Sequence, residues 1–121
     1  EYTFNNPTIF PKQITFKASP IIVIEGLFIY TDSKLDGLFD LKLYVEASLD
    51  VMLKRRLDRD AKERGMTQKQ IEYQWNEHVL PAYNRYLLPY RDNVDLIIVN
   101  NTHFDRSFKV LSNHLDRLLK A

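Results

Sequence analysis

Apolar residues recur along this chain with two different periods, and the alternation between those periods sets out its elements. After Pro20 comes Ile21-Ile22-Val23-Ile24, a continuous β-branched run ending at Glu25-Gly26, as expected for a central strand covered on both faces. Residues 41–46 alternate Leu41, Leu43 and Val45 with Lys42, Tyr44 and Glu46, and residues 95–99 read Asp95-Leu96-Ile97-Ile98-Val99. Both predict strands. Residues 8–17 hold two shorter pieces around Pro11, the second alternating Ile14 and Phe16 with polar neighbours, which predicts a small, half-exposed hairpin.

Helical spacing fills the intervals. Ser48 is placed to cap a helix with Asp50 in its first turn, and Leu49, Leu53, Leu57 and Ala61 recur every four residues as an expected buried stripe. Gly65 is the expected C′ stop. Thr67 and Gln70 have capping-box spacing and open a helix bearing Ile71, Trp75 and Val79, which Pro81 kinks or restarts; a further segment runs to Pro89. The last helix places Phe104, Phe108, Leu111, Leu115 and Leu118 on one face, read as docking on the sheet. Strands alternating with helices predict an α/β fold with a parallel sheet flanked by helices and a small N-terminal hairpin.

Composition narrows the class without naming a chemistry. The 121 residues are 45% hydrophobic and 27% charged, with a net charge of +1, which fits one globular domain or part of a larger one. Near neutrality argues against a general nucleic-acid binder. No cysteine is present, which removes disulfide and thiolate chemistry and agrees with a reducing compartment. No apolar run approaches the ~20 residues that span a bilayer, and the first residues do not resemble a signal peptide. A soluble, cytoplasmic protein is expected. Glu1-Tyr2-Thr3-Phe4 runs at once into structured-looking sequence, and the chain reads as a fragment.

Local charge carries more information than the total. Between Lys54 and Arg64 lie six basic residues (Lys54, Arg55, Arg56, Arg59, Lys62, Arg64) and three acidic ones (Asp58, Asp60, Glu63), a local net of +3. Part of this pattern suits a solvated face, because Lys54 and Asp58, Asp58 and Lys62, and Asp60 and Arg64 are all i,i+4 pairs. Arg55, Arg56 and Arg59 have no acid four residues before them, on the N-terminal side, and Arg56 and Arg59 lie ~60° apart around the helix at about 100° per residue. Guanidinium forks at that spacing suit phosphate oxygens. Glu25 closes the first apolar strand, where open α/β sheets bind ligands, and is a candidate magnesium ligand or a simple turn residue. His78, His103 and His114 lack metal-ligand spacing and read individually as ordinary helix or loop residues. No G-x-x-x-x-G-K-[ST] loop occurs.

Taken together, IIVIEGLFIY, LKLYVEASLDVMLKRRLDRDAKERG and VLPAYNRYLLPYRDNVDLIIVNN resemble the C-terminal part of uridine kinases (uridine-cytidine kinases), in the phosphoribulokinase/uridine kinase group of P-loop kinases. The most specific pieces are E-G-L after an apolar strand, the R-R-x-x-R-D-x-x-E-R-G helix, and P-x-Y-x-x-Y-x-x-P leading to D-x-I-I. The resemblance implies transfer of the ATP γ-phosphoryl group to the 5′-hydroxyl of uridine or cytidine, in pyrimidine salvage. ATP and a magnesium ion would be required. Arg59 and Arg64, on a lid, would face ATP phosphates as catalytic and nucleotide-binding residues, with His103 added to the nucleotide-binding set. Arg56 would reach the nucleoside near its ribose, Gln74 would stand against the nucleoside, and Tyr2 and Phe4 would line the base pocket. Glu25 would help hold the magnesium ion.

The same resemblance divides the chain into a substrate-side hairpin (1–20), core strands (21–47), lid and following helices (48–90), and last strand with C-terminal helix (91–121). It also implies a homo-oligomer acting on small molecules, without nucleic acid or membrane partners. Two positions depart from the family pattern. Met66 stands where many relatives carry a second lid arginine, and Pro7 where a base-reading histidine is expected. The family's phosphate loop and general-base aspartate precede the matching segment, so the 121 residues alone are expected to be inactive. Two alternatives stay open: a kinase of the same group acting on another small alcohol, pantothenate- or ribulose-phosphate-like, and a non-catalytic nucleotide-binding module.

Overall fold

A computed structural model describes residues 15–121. Its sheet has two parallel strands, β1 (Leu43–Glu46) and β2 (Leu96–Val99), paired from Leu43 opposite Leu96 to Glu46 opposite Val99. Parallel neighbours need a long crossover. Here it is helical throughout: α2 (Leu49–Arg64), α3 (Gln68–Gln74), a π-helical turn (Trp75–Val79), α4 (Leu80–Tyr86) and a 3₁₀ turn (Leu88–Asn93). A single-turn helix α1 (Ser33–Asp36) precedes β1, and α5 (Asp105–Lys120) follows β2. The α/β class and parallel pairing read from the sequence are the ones observed.

The stops and caps of the crossover follow their residues closely. Gly65 takes φ +62°, the left-handed region that L side chains resist, and its N–H bonds the Asp60 carbonyl to close α2. Thr67 then caps α3 in a complete capping box: its hydroxyl accepts from the Gln70 N–H, and the Gln70 side chain accepts from the Thr67 N–H. Pro81 has no N–H to offer the preceding turn. The chain resolves this with the wider π turn, in which the Leu80 N–H reaches back to the Trp75 carbonyl, and a restarted helix carries Pro81 in its first turn. Tyr44, Ile71 and Trp75 are the buried hydrophobic residues among those described.

Several expectations need correction. The run 21–24 forms no strand, and its side chains are mostly exposed, Val23 by 79%. A strand needs a neighbouring ladder, and at β1 the Tyr30 hydroxyl bonds both the N–H and the carbonyl of Leu43, occupying backbone groups that pairing would use. The expected stripe along α2 is also incomplete. Leu53 and Leu57 are half-buried while Leu49 and Ala61 are exposed, and the one buried residue of the helix is Asp60. Helix α5 forms where expected, but Phe104, Phe108 and Leu118 remain exposed because two four-residue strands offer little surface to dock on. Most of the 8–17 hairpin lies outside the described residues, and residues 15–17 are not strand.

Candidate functional site

Helix α2 assembles the charged cluster because its period stacks side chains four apart. Arg56, Asp60 and Arg64 share one stripe, and Arg59 lies beside it. Asp60 is 0% exposed. The Arg59 Nε donates to its Oδ1 at 2.8 Å, the Arg56 Nε lies 3.3 Å from its Oδ2, and the Arg64 Nη1 lies 3.6 Å from Oδ1. From the same guanidinium, Arg56 Nη2 donates to the Gln74 Oε1 at 3.1 Å, linking α2 to the last residue of α3. The Arg56 Nε and Asp60 Oδ2 are buried without a hydrogen bond, so their contact is ionic and imperfectly aligned.

The cluster grades from covered to open. Arg56 is 19% exposed, Arg59 47% and Arg64 56%. Arginines screen Asp60 on several sides, while the outer ends of Arg59 and Arg64 face solvent. The Arg59 hydrogen bond is the main cause that holds the Asp60 carboxyl below the usual range, with the charges of Arg64 and Arg56 adding to it. Arg59 is in turn held further toward its charged form by the same bond.

A pH dependence follows from this arrangement. A carboxyl whose folded pKa lies below its unfolded value contributes stability above that unfolded value, about 3.9, and loses it as pH falls through the folded one. Replacing Asp60 by asparagine is therefore expected to flatten the acid limb of stability, measured as urea midpoints from neutral pH down to the carboxylate range. An acid limb of unchanged slope would contradict the pairing.

Of the residues singled out in the sequence, the structure brings Arg56, Arg59, Arg64 and Gln74 together. It does not join Glu25 or His103 to them. Glu25 is exposed at the start of a turn, with no bond or ion pair to the cluster among the described residues. Among the described residues no group of three or more His, Asp or Glu side chains could hold a metal ion, so Glu25 alone does not make a metal site. His103 lies in the loop after β2, with its Nδ1 3.6 Å from the Asp105 carboxylate. Tyr2, Phe4 and Pro7 lie outside the described residues. Met66 is half-buried, and its N–H bonds the Asp60 carbonyl.

Sequence reasoning passed over two features. Asp60 was counted as half of one surface pair, yet Arg residues at −4, −1 and +4 already placed three guanidinium groups within its reach. Lys54–Asp58 and Asp58–Lys62 form no ion pair among the described residues. Arg55, which has no acidic partner four residues away, donates instead to backbone carbonyls, Asn100 at 2.8 Å and Asn101 at 3.3 Å. The Asn101 side chain also accepts from the Ser48 N–H at 2.8 Å, fastening the loop after β2 to the start of α2. At the carboxyl end of β1, the Arg91 Nε pairs with the Glu46 Oε2 beside a cleft of about 220 Å³ lined in part by Ser48, Tyr83 and Asn84.

Residues 1–105 match the model of the phosphoribulokinase/uridine kinase family. Curated relatives include a uridine kinase of Borrelia duttonii (strain Ly), 34% identical over 119 residues, covering 98% of this chain and 58% of the relative. A uridine kinase of Macrococcus caseolyticus (strain JCSC5402) is 30% identical over 120 residues, covering 99% of this chain and 58% of the relative. Uridine-cytidine kinase A of Dictyostelium discoideum is 30% identical over 120 residues, covering 99% of this chain and 24% of the relative. The chain thus spans little more than half the length of the bacterial proteins it matches.

Proposed function

The chain belongs to the phosphoribulokinase/uridine kinase family, and on that footing we propose that it is the C-terminal part of an ATP-dependent kinase acting on uridine or cytidine. The observation that supports this reading best is the convergence of Arg56, Arg59 and Arg64 on one side of α2, with Gln74 bound to Arg56. Phosphoryl transfer depends mostly on positioning and on neutralising the charge of the moving group. The γ-phosphorus would pass from the β–γ bridging oxygen of ATP to the nucleoside 5′-oxygen. ADP would leave, and the hydroxyl proton would go to a base outside these 121 residues.

In this reading Arg59 and Arg64, the more exposed pair, meet the ATP phosphates. Arg56 and Gln74, linked and more covered, meet the nucleoside, with Tyr2 and Phe4 against the base. His103, on the loop that Arg55 fastens, would join the nucleotide-binding set. Magnesium would accompany ATP as its counterion, and Glu25 would offer it one carboxylate. The division into a substrate-side segment (1–20), a core segment ending in β1 (21–47), lid and helices (48–90) and last strand with C-terminal helix (91–121) belongs to the same reading.

Assaying the full-length protein with MgATP against uridine, cytidine and pantothenate tests the proposal. Uridine or cytidine is expected to be the preferred acceptor, and preference for pantothenate would move the chain to a different acceptor within the family. The 121 residues, which contain no G-x-x-x-x-G-K-[ST] motif, are expected to show no transfer to uridine by themselves.

A further inference from the structure

We propose that Asp60 is a positioning residue for the phosphate-handling arginines: its carboxylate is a built-in anion that gathers Arg56, Arg59 and Arg64 before any nucleotide arrives. The inference rests on the kinase reading above and adds a role for a residue that touches neither substrate. Three guanidinium groups on adjoining helical positions repel one another, and each side chain has many rotamers to sample. One carboxylate inside their circle reverses the repulsion and fixes where the side chains lie. Asp60 is closed to solvent, so it acts through its partners instead of meeting a ligand itself.

Donor geometry supports this division of labour. An arginine carries five N–H donors, and Asp60 engages Arg59 through Nε alone and approaches Arg64 through Nη1 alone. Among the described residues nothing engages the terminal amino groups of Arg59 or the Nε and Nη2 of Arg64, which suits them to an outside anion. About half of each of these two side chains is exposed. Arg56 differs: its Nη2 is occupied by Gln74 and its Nε rests against Asp60 Oδ2 without a hydrogen bond. Asp60 therefore sets the inner ends of the arginines and leaves the outer ends of Arg59 and Arg64 to bind.

A mutant cycle in the full-length enzyme separates positioning from support of the fold. Asp60→Asn is expected to lower kcat/KM for ATP by about tenfold or more in the parent background and by less than about threefold when Arg59 and Arg64 are already alanine. The same factor in both backgrounds would overturn the proposal, because a residue that only stabilises the helix acts whether or not those arginines are present. Asp60→Glu keeps the charge and the fold while moving the carboxylate by one methylene, and it is expected to lower kcat/KM by about tenfold. An unchanged rate there would equally overturn the proposal. Failure of the kinase reading looks different: the unmutated full-length protein would then not phosphorylate a nucleoside at all.

Discussion

Arg59→Ala in the full-length protein is expected to lower kcat/KM for ATP by about thirtyfold, the equivalent of about 2 kcal/mol for a lost charge-assisted contact. The size follows from where Arg59 stands. It is the arginine most firmly fixed to Asp60, at 2.8 Å through Nε, and it is still 47% exposed, so its terminal nitrogens are both held and reachable. Arg59→Lys should recover only part of the loss, because an ammonium cannot bond the carboxylate and a phosphate with a fixed fork. Unchanged kcat/KM for ATP in Arg59→Ala would reduce the arginine-rich face of α2 to a solvated surface laced with weak ion pairs.

The largest effect on stability is expected at Trp75. It is buried at the junction of α3 and the π turn, and with Tyr44 and Ile71 it makes up the buried hydrophobic set among the described residues. Trp75→Ala should destabilise the fold by about 3–5 kcal/mol, read from urea unfolding of the full-length protein. Lys62→Ala, at an exposed position of α2, should stay within about 0.5 kcal/mol. The contrast bears on function as well as folding. Gln74 immediately precedes Trp75, and loosening that junction would release the Gln74 end of the Arg56 bond. A loss under about 1 kcal/mol at Trp75 would contradict a supporting role for its burial at this junction.

Local chemistry was the most legible level. Gly65, Thr67 with Gln70, and Pro81 each act on backbone groups within a few residues, so the end of α2, the capping box of α3 and the interruption before α4 could be read from single positions, while Ser48 stands at the start of α2 without a side-chain cap bond. The strand at 43–46 was legible from alternation and the one at 96–99 from its apolar run, and their parallel pairing from the helices between them. Arg56 and Arg59 were legible as candidates from their spacing on α2, and Arg64 and Gln74 through the resemblance to uridine kinases.

Burial was less legible, because it depends on what lies opposite a residue. Ile21-Ile22-Val23-Ile24 and the apolar face of α5 carry the pattern of covered surfaces, yet the described residues do not cover them. Asp60 erred in the opposite direction. A carboxylate on a polar helix reads as exposed, whereas three long side chains from its own helix converge on this one. Arg55 shows a related limit. Its partners are carbonyls some 45 residues away, and a backbone acceptor leaves no trace in side-chain spacing.

A structure of the full-length protein with a non-hydrolysable MgATP analogue and uridine tests the central claim most directly. The account predicts Arg59 and Arg64 terminal nitrogens at about 2.7–2.9 Å from phosphate oxygens, with the Arg59 Nε still on Asp60 and Arg56 and Gln74 against the nucleoside. A polyphosphate bound elsewhere, with the arginines of α2 touching only Asp60 and solvent, would contradict it.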